Sequence, residues 1–286
     1  MEKKYEFTNK NRIIRDDNGI LHTVYQIRAL KDFGDVKKGD IGGWLENESN
    51  LSQAGDCWVS DYAIVYGEAH VGENAKVFER ASVFDSAYVS GNARVYGATM
   101  VSENARVYKD AQIYDDAMVY GNAVICKDAE IYGDAQVYDE ASVGGTAKVY
   151  GNDQVYGTAK VLDDAQVYGT AWVSDEASIR GTAEVYGNAW VYEKASIEGT
   201  AKVYDEAKVR GNAKVYGNAQ VYGTARVLYD ARISDDAQVY GNAWVLDDAS
   251  IGGNAKVYGT ARVYDDAQVY GNARVENVSI VDTAIV

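Results

Sequence analysis

The sequence predicts an all-β fold: a three-sided parallel β-helix of 12 to 13 coils over residues 42–286, with a small N-terminal β cap over 1–41. Three observations lead there. From Val59 to Val275 every sixth residue is Val or Ile, 37 in succession, and the residue two before each is Ala in 34 cases, the exceptions being Cys57, Thr99 and Asp153. Gly, Asp, Asn and Thr fill the two places before the next unit, as in Ala213-Lys214-Val215-Tyr216-Gly217-Asn218. Finally, one residue type returns at every eighteenth position, Tyr96, Tyr114, Tyr132 and so on to Tyr258, ten tyrosines preceded by Phe78.

Each observation has a physical reading. Residues two apart in an extended segment point the same way, so Ala and Val share the interior. Gly, Asp and Asn accept positive φ or bond their own backbone, which makes the intervening pair a corner. A helix is excluded, because recurrent Gly and β-branched Val are costly in helix interiors. The eighteen-residue return means three hexads per turn, hence a triangular coil and roughly 60 Å of rod at ~4.8 Å per coil.

The cap precedes this array. Lys4 to Thr8 reads as a strand, and Arg12–Arg15 with Ile20–Leu30 as a hairpin around Asp16-Asp17-Asn18-Gly19, since Asn-Gly between β-rich runs signals a tight turn. Leu45 and Leu51 already keep the six-residue step, so the first coil starts near Gly42, and a two-residue insertion follows before the regular run. After Val275 the spacing slips by one: Val278 and Ile280 resume the pattern, then Ala284 and Val286. An unpaired final coil would expose a strand edge, which predicts a homo-oligomer through a C-terminal end-to-end dimer.

Ala-x-Val hexads at three per coil resemble the left-handed parallel β-helix of hexapeptide-repeat proteins, the LpxA-like superfamily. The N-terminal residues are more specific. Arg28-Ala29-Leu30-Lys31-Asp32-Phe33, Gly39-Asp40-Ile41-Gly42-Gly43-Trp44-Leu45-Glu46, and Leu51-Ser52-Gln53 with Gly55, Cys57 and Trp58 resemble YdcK-type bacterial and phage-encoded proteins. The left-handed coil comes from this resemblance, against the usual crossover rule. So does the acyltransferase label; a fold by itself does not establish an activity.

Composition narrows the partners. A net charge of -15 and a pI of about 4.6 disfavour direct binding to nucleic acid or anionic lipid. No apolar leader or long apolar run is present, so no membrane contact is expected. Cys57 points inward and Cys126 outward, too far apart to pair, and two free thiols fit a reducing cytoplasm. No Gly-rich phosphate loop, metal-ligand cluster or Ser/His/Asp set appears, so no cofactor is expected.

The three outward faces differ. Face one follows the tyrosine row and centres on polar residues such as Lys148 and Lys202. Face two centres on Ile64, Met100, Met118, Trp172, Trp190 and Trp244, with Lys208, Arg226 and Arg262 between. Aromatic residues interleaved with Arg suit a protein contact, so Met100, Met118, Trp172, Trp190 and Trp244 are the candidate partner-binding residues. Face three is mostly Ser, Lys and Arg, with His70, Tyr88 and Val124. The corner after face two carries 13 acidic residues against seven at each other corner, and Asp247, Asp248, Asp265 and Asp266 are its metal candidates, although a solvated acidic edge needs no ion.

Hexapeptide acyltransferases use a histidine as general base, often beside a loop protruding from the coil. This chain offers His22, in the cap hairpin, and His70, the one candidate base. No residue is inserted between Val59 and Val275, so no such loop exists in the array. Three function classes follow: a non-catalytic β-helical rod that scaffolds or binds proteins, itself included, through the Trp face; an acyl-CoA-dependent acyltransferase acting through His70; and a phage-type acidic inhibitor imitating DNA. The first is favoured.

Overall fold

The computed structural model describes residues 3–16, 18–282 and 285–286; Asp17 and Ala284, named above, lie outside them. The fold is all-β, with three sheets of parallel two- to four-residue strands after the N-terminal segment, forming a solenoid of about 13 turns. No helix among the described residues is long and apolar enough to cross a membrane. The chain divides into two compact units, Met1–Asp139 and Glu140–Val286.

The first unit opens with β1 (Tyr5–Arg15) and β2 (Leu21–Ala29), an antiparallel hairpin. Where the sequence suggested two short strands, β1 is continuous and absorbs the break as a bulge between Phe7 and Asn11, where the Thr8 hydroxyl accepts the Lys10 amide at 3.2 Å. β3 (Ile41–Leu45) pairs antiparallel to β2 on one edge and parallel to Ile64–Val65 on the other. It is the strand where the cap's pairing becomes the solenoid's.

The register follows the residue count. Leu45 pairs with Val65 and Leu51 with Val71, a step of 20 that contains the two-residue insertion. From Trp58 paired with Lys76 onward the step is 18. The second unit keeps 18 until Arg262 pairs with Ser279, where the one-residue slip makes it 17.

The inward Ala and Val of the regular hexads are shut off from solvent up to Val269, while Ala273 in the last hexad is half-buried. The corners take left-handed φ. Where a side chain is present it is usually Asp or Glu, as at Asp163 (φ 63) and Asp175 (φ 56). Their carboxylates accept backbone amides one coil on: Gly181 N–H to Asp163 at 3.2 Å and Glu193 N–H to Asp175 at 3.1 Å. This gives the corner acids a structural task. Gly145 (φ 82) shows why other corners stay bare, since a Cβ there would lie 2.4 Å from the Asp163 carbonyl oxygen.

The tyrosine row stacks as expected. In the second unit Tyr168, Tyr186 and Tyr204 lie 4.7 and 4.8 Å apart at interplanar angles of 1°. Tyr168 also donates its hydroxyl to Glu184 at 2.8 Å, and burial first, then this bond, raise its pKa.

Candidate functional site

The residues singled out by sequence fall at four places, two in each unit. In the first unit, His70 lies at the start of a face-three strand. Its Nδ1 is 2.7 Å from the Ser49 carbonyl oxygen, which can only accept, so Nδ1 carries the proton and Nε2 of the neutral ring keeps its lone pair. Tyr88 stacks on it one coil on, centroids 5.5 Å apart. Tyr88 also lines an open hollow of about 780 Å³ with Arg106, Tyr108, Lys109 and Val124. Burial first, then a hydrogen bond to Cys126, raise the Tyr108 pKa. The hollow's two cations, its one carboxylate (Glu73) and its apolar Val124 were not anticipated as a set. The outward Val124 on a mostly polar face was the one visible sign.

Met100 and Met118 are brought together as directly paired neighbours on face two. They line a hollow of about 260 Å³ with Phe84 and Tyr120, and Asp16 and Asn18 of the cap hairpin also line it. This chain's own turn therefore flanks part of the face that the sequence marked for a partner. The hairpin is held by His22, whose Nδ1 is 3.0 Å from Glu46 and whose Nε2 is 3.5 Å from Asp16. Burial lowers the His22 pKa, but the bonds and charges of Glu46 and Asp16 outweigh it and the net direction is up. The sequence places His22 in the cap hairpin but does not pair it: Asp16, six residues before it, and Glu46, 24 residues after it, meet it only in the fold.

In the second unit face two carries the larger aromatic row. Trp172 and Trp190 pair on adjacent strands and stack at 4.8 Å and 9°. Tyr156 and Tyr192 meet them edge-on, each at 6.4 Å. Trp244 stands apart, three strands beyond Trp190. The cations of this face stack on its rings: between the tryptophans Lys208 Nζ lies 4.6 Å from the Trp190 centroid and Arg226 4.6 Å from that of Trp244, and Arg262, one strand beyond, lies 5.6 Å from Trp244. Nearby Lys194, Lys202 and Arg210 have carboxylate partners. Among the described residues Lys208, Arg226 and Arg262 form no ion pair.

The acidic corner of the same unit places Asp247 (φ 55) and Asp265 (φ 57) at left-handed positions, with Asp248 and Asp266 beside them. Among the described residues no group of three or more His, Cys, Asp or Glu side chains is arranged to hold a metal ion. These acids stand as corner residues.

The YdcK beta solenoid repeat matches residues 87–103, 111–127 and 267–281, so these segments are repeats of that type. Over 79 residues, 26% of this chain, the sequence is 35% identical to the uncharacterized acetyltransferase YdcK of Escherichia coli (strain K12), and the chain covers 24% of that relative's length. The UDP-N-acetylglucosamine acyltransferase of Francisella novicida aligns over 59% of this chain and 65% of its own, at 15% identity and a TM-score of 0.31.

Proposed function

We propose, from a chain built on YdcK-type hexapeptide repeats, that this protein is a non-catalytic scaffold whose face two, in the second unit, binds another protein. One observation carries this reading. Trp172, Trp190 and Trp244 lie on one sheet face with three cations that stack on aromatic rings and, among the described residues, form no ion pair, although Glu206 lines the same hollow as Lys208 and Arg226. Trp and Arg are the residues that most often anchor protein contacts, and a cation held against a ring loses less freedom on binding than one in solvent. The unbroken eighteen-residue step within the unit adds support, because no inserted loop folds over the face. The test is Trp172→Ser with Trp190→Ser, set against Lys160→Ser with Lys214→Ser on face three. Sedimentation and affinity capture should show altered assembly or partner recovery in the tryptophan variant alone. If both variants behave like the parent, the reading is wrong.

A second reading is favoured by His70. A ring whose Nδ1–H is held by a carbonyl presents Nε2 as a base, and the hollow beside Tyr88, where Arg106 and Lys109 outnumber Glu73, would suit the phosphates of an acyl-CoA. The acetyltransferase description of the Escherichia coli relative supports it over the short stretch that is shared. Acetyl-CoA turnover on an amine and hydroxyl acceptor panel, abolished by His70→Ala in a folded variant, would establish this reading over the first.

A further inference from the structure

Lys4 and Cys57 form a buried amine–thiol contact that neither functional reading uses. Lys4 is 1% exposed and Cys57 has no exposed surface. The ammonium donates to the carbonyl oxygens of Cys57, Gly55 and Ala54 at 3.0, 3.2 and 3.4 Å, and its nitrogen lies 3.2 Å from the Cys57 sulfur. The Phe33 ring closes another side at 4.9 Å. Little covers the pair: Ala54, Gly55 and Asp56, in the loop whose carbonyls hold the amine, are exposed. A molecule as small as hydrogen peroxide needs only a local opening of that loop to reach the sulfur.

The contact joins a nucleophile to an atom that oxidation makes electrophilic. Burial lowers the Lys4 pKa, although the Cys57 thiol and charge act the other way, and burial raises that of Cys57. Both directions weaken the charged forms, so the neutral amine and thiol lie closer in free energy to the ion pair than they would in water. A proton passed from sulfur to nitrogen across the 3.2 Å contact gives the thiolate that attacks peroxide, and the ammonium gives that proton up to the departing hydroxide, which restores the neutral amine.

We propose that Lys4 and Cys57 are an oxidant-sensitive cross-linking site that closes as a covalent bond between Nζ and Sγ. In the first step the thiol and hydrogen peroxide give a sulfenic acid and one water; the sulfur loses two electrons to the peroxide. In the second, Nζ attacks the sulfur, the N–S bond forms, the S–O bond breaks, and the hydroxyl leaves as water with a proton from the amine. The link would tie the residue preceding β1 to the loop that opens the regular coils. Thiol reductants attack the sulfur and return both side chains.

The experiment uses the intact native chain. It is treated with hydrogen peroxide, blocked with an alkylating agent, denatured, digested with trypsin and analysed by mass spectrometry. The expected result is a joined peptide pair containing Lys4 and Cys57, uncut after Lys4, about 2 Da lighter than the sum of its parts and released by dithiothreitol. A pair heavier by one oxygen, bridging nitrogen and sulfur, supports the same site. Cys126, half-buried beside Tyr108, is the internal control and should be oxidised without a lysine partner. The same treatment in urea should lose the link, because the contact belongs to the fold. Cys57 recovered as a free thiol while Cys126 is oxidised, or as a sulfinic acid in a linear peptide, would overturn the proposal.

Discussion

Asp153 is the least comfortable residue in the array, and replacing it with alanine should stabilise the protein in a pH-dependent way. It stands where 34 other hexads have Ala, and it has no exposed surface. One carboxyl oxygen accepts the Ala171 amide at 2.6 Å; the other, Oδ2, has no partner. Burial, only partly offset by that bond, pushes its pKa from 3.8 up to about 8. At neutral pH the folded chain must therefore protonate a group that is ionised when unfolded. Each pH unit above the free value costs ~1.4 kcal/mol, which amounts to about 4 kcal/mol at pH 7. The stability is intact below 3.8, falls as pH rises, and levels off above about 8. Asp153→Ala removes this penalty but leaves the Ala171 amide without its acceptor, a loss of ~1–3 kcal/mol. The net expectation is a gain of about 2 kcal/mol at pH 7, more above about pH 8, and almost nothing near pH 5. Urea unfolding across that range, with hydrogen exchange at Trp172 and Val173 to localise the effect, measures it. A variant no more stable than the parent at every pH would show that the carboxyl is neither desolvated nor protonated as described.

Two further outcomes rest on the same structure. Gly145→Ala should destabilise by about 2 kcal/mol, because side-chain-bearing corners sit near φ 55–63 while Gly145 lies at 82, with the Asp163 carbonyl in the way of a Cβ; unchanged unfolding in urea would refute the clash. His22→Gln should flatten the pH dependence of cap stability. A raised folded pKa means the His22 contribution is complete below the free value of 6.5 and is lost as pH climbs through the folded value. Hydrogen exchange in β1 and β2 that stays equally pH-dependent in the variant would count against this.

The hexads made the solenoid legible because their period is the fold: Ala and Val two apart, a corner, and a return at eighteen leave no other arrangement of neighbours. The stack of Trp172 on Trp190 follows from that count alone. The seating of the cap does not. That Asp16 and Asn18 would flank Met100 and Met118, or that Lys4 would bury its amine against Cys57, depends on how non-periodic strands dock, and no spacing encodes it. Thr99 and Asp153 lie between. The sequence marks them as breaks in the alanine column, yet only the fold shows that Thr99 Oγ1 and Asp153 Oδ2 are left without partners.

Sameness has its own hazard. A hexad aligned one whole coil too early or too late meets the same Ala, the same Val and mostly the same Tyr, so the interior scarcely distinguishes the right alignment from a shift of eighteen. Only the places that break the count can set the frame: the step of 20 at Leu45 and Leu51 in one unit, and the step of 17 at Ser279 in the other. These odd-length steps act as start and stop marks on an otherwise uniform ruler. Deleting the two surplus residues between Leu51 and Val59 would leave every hexad intact and remove the first mark, and the resulting chains would fold into a mixture of alignments rather than simply unfold.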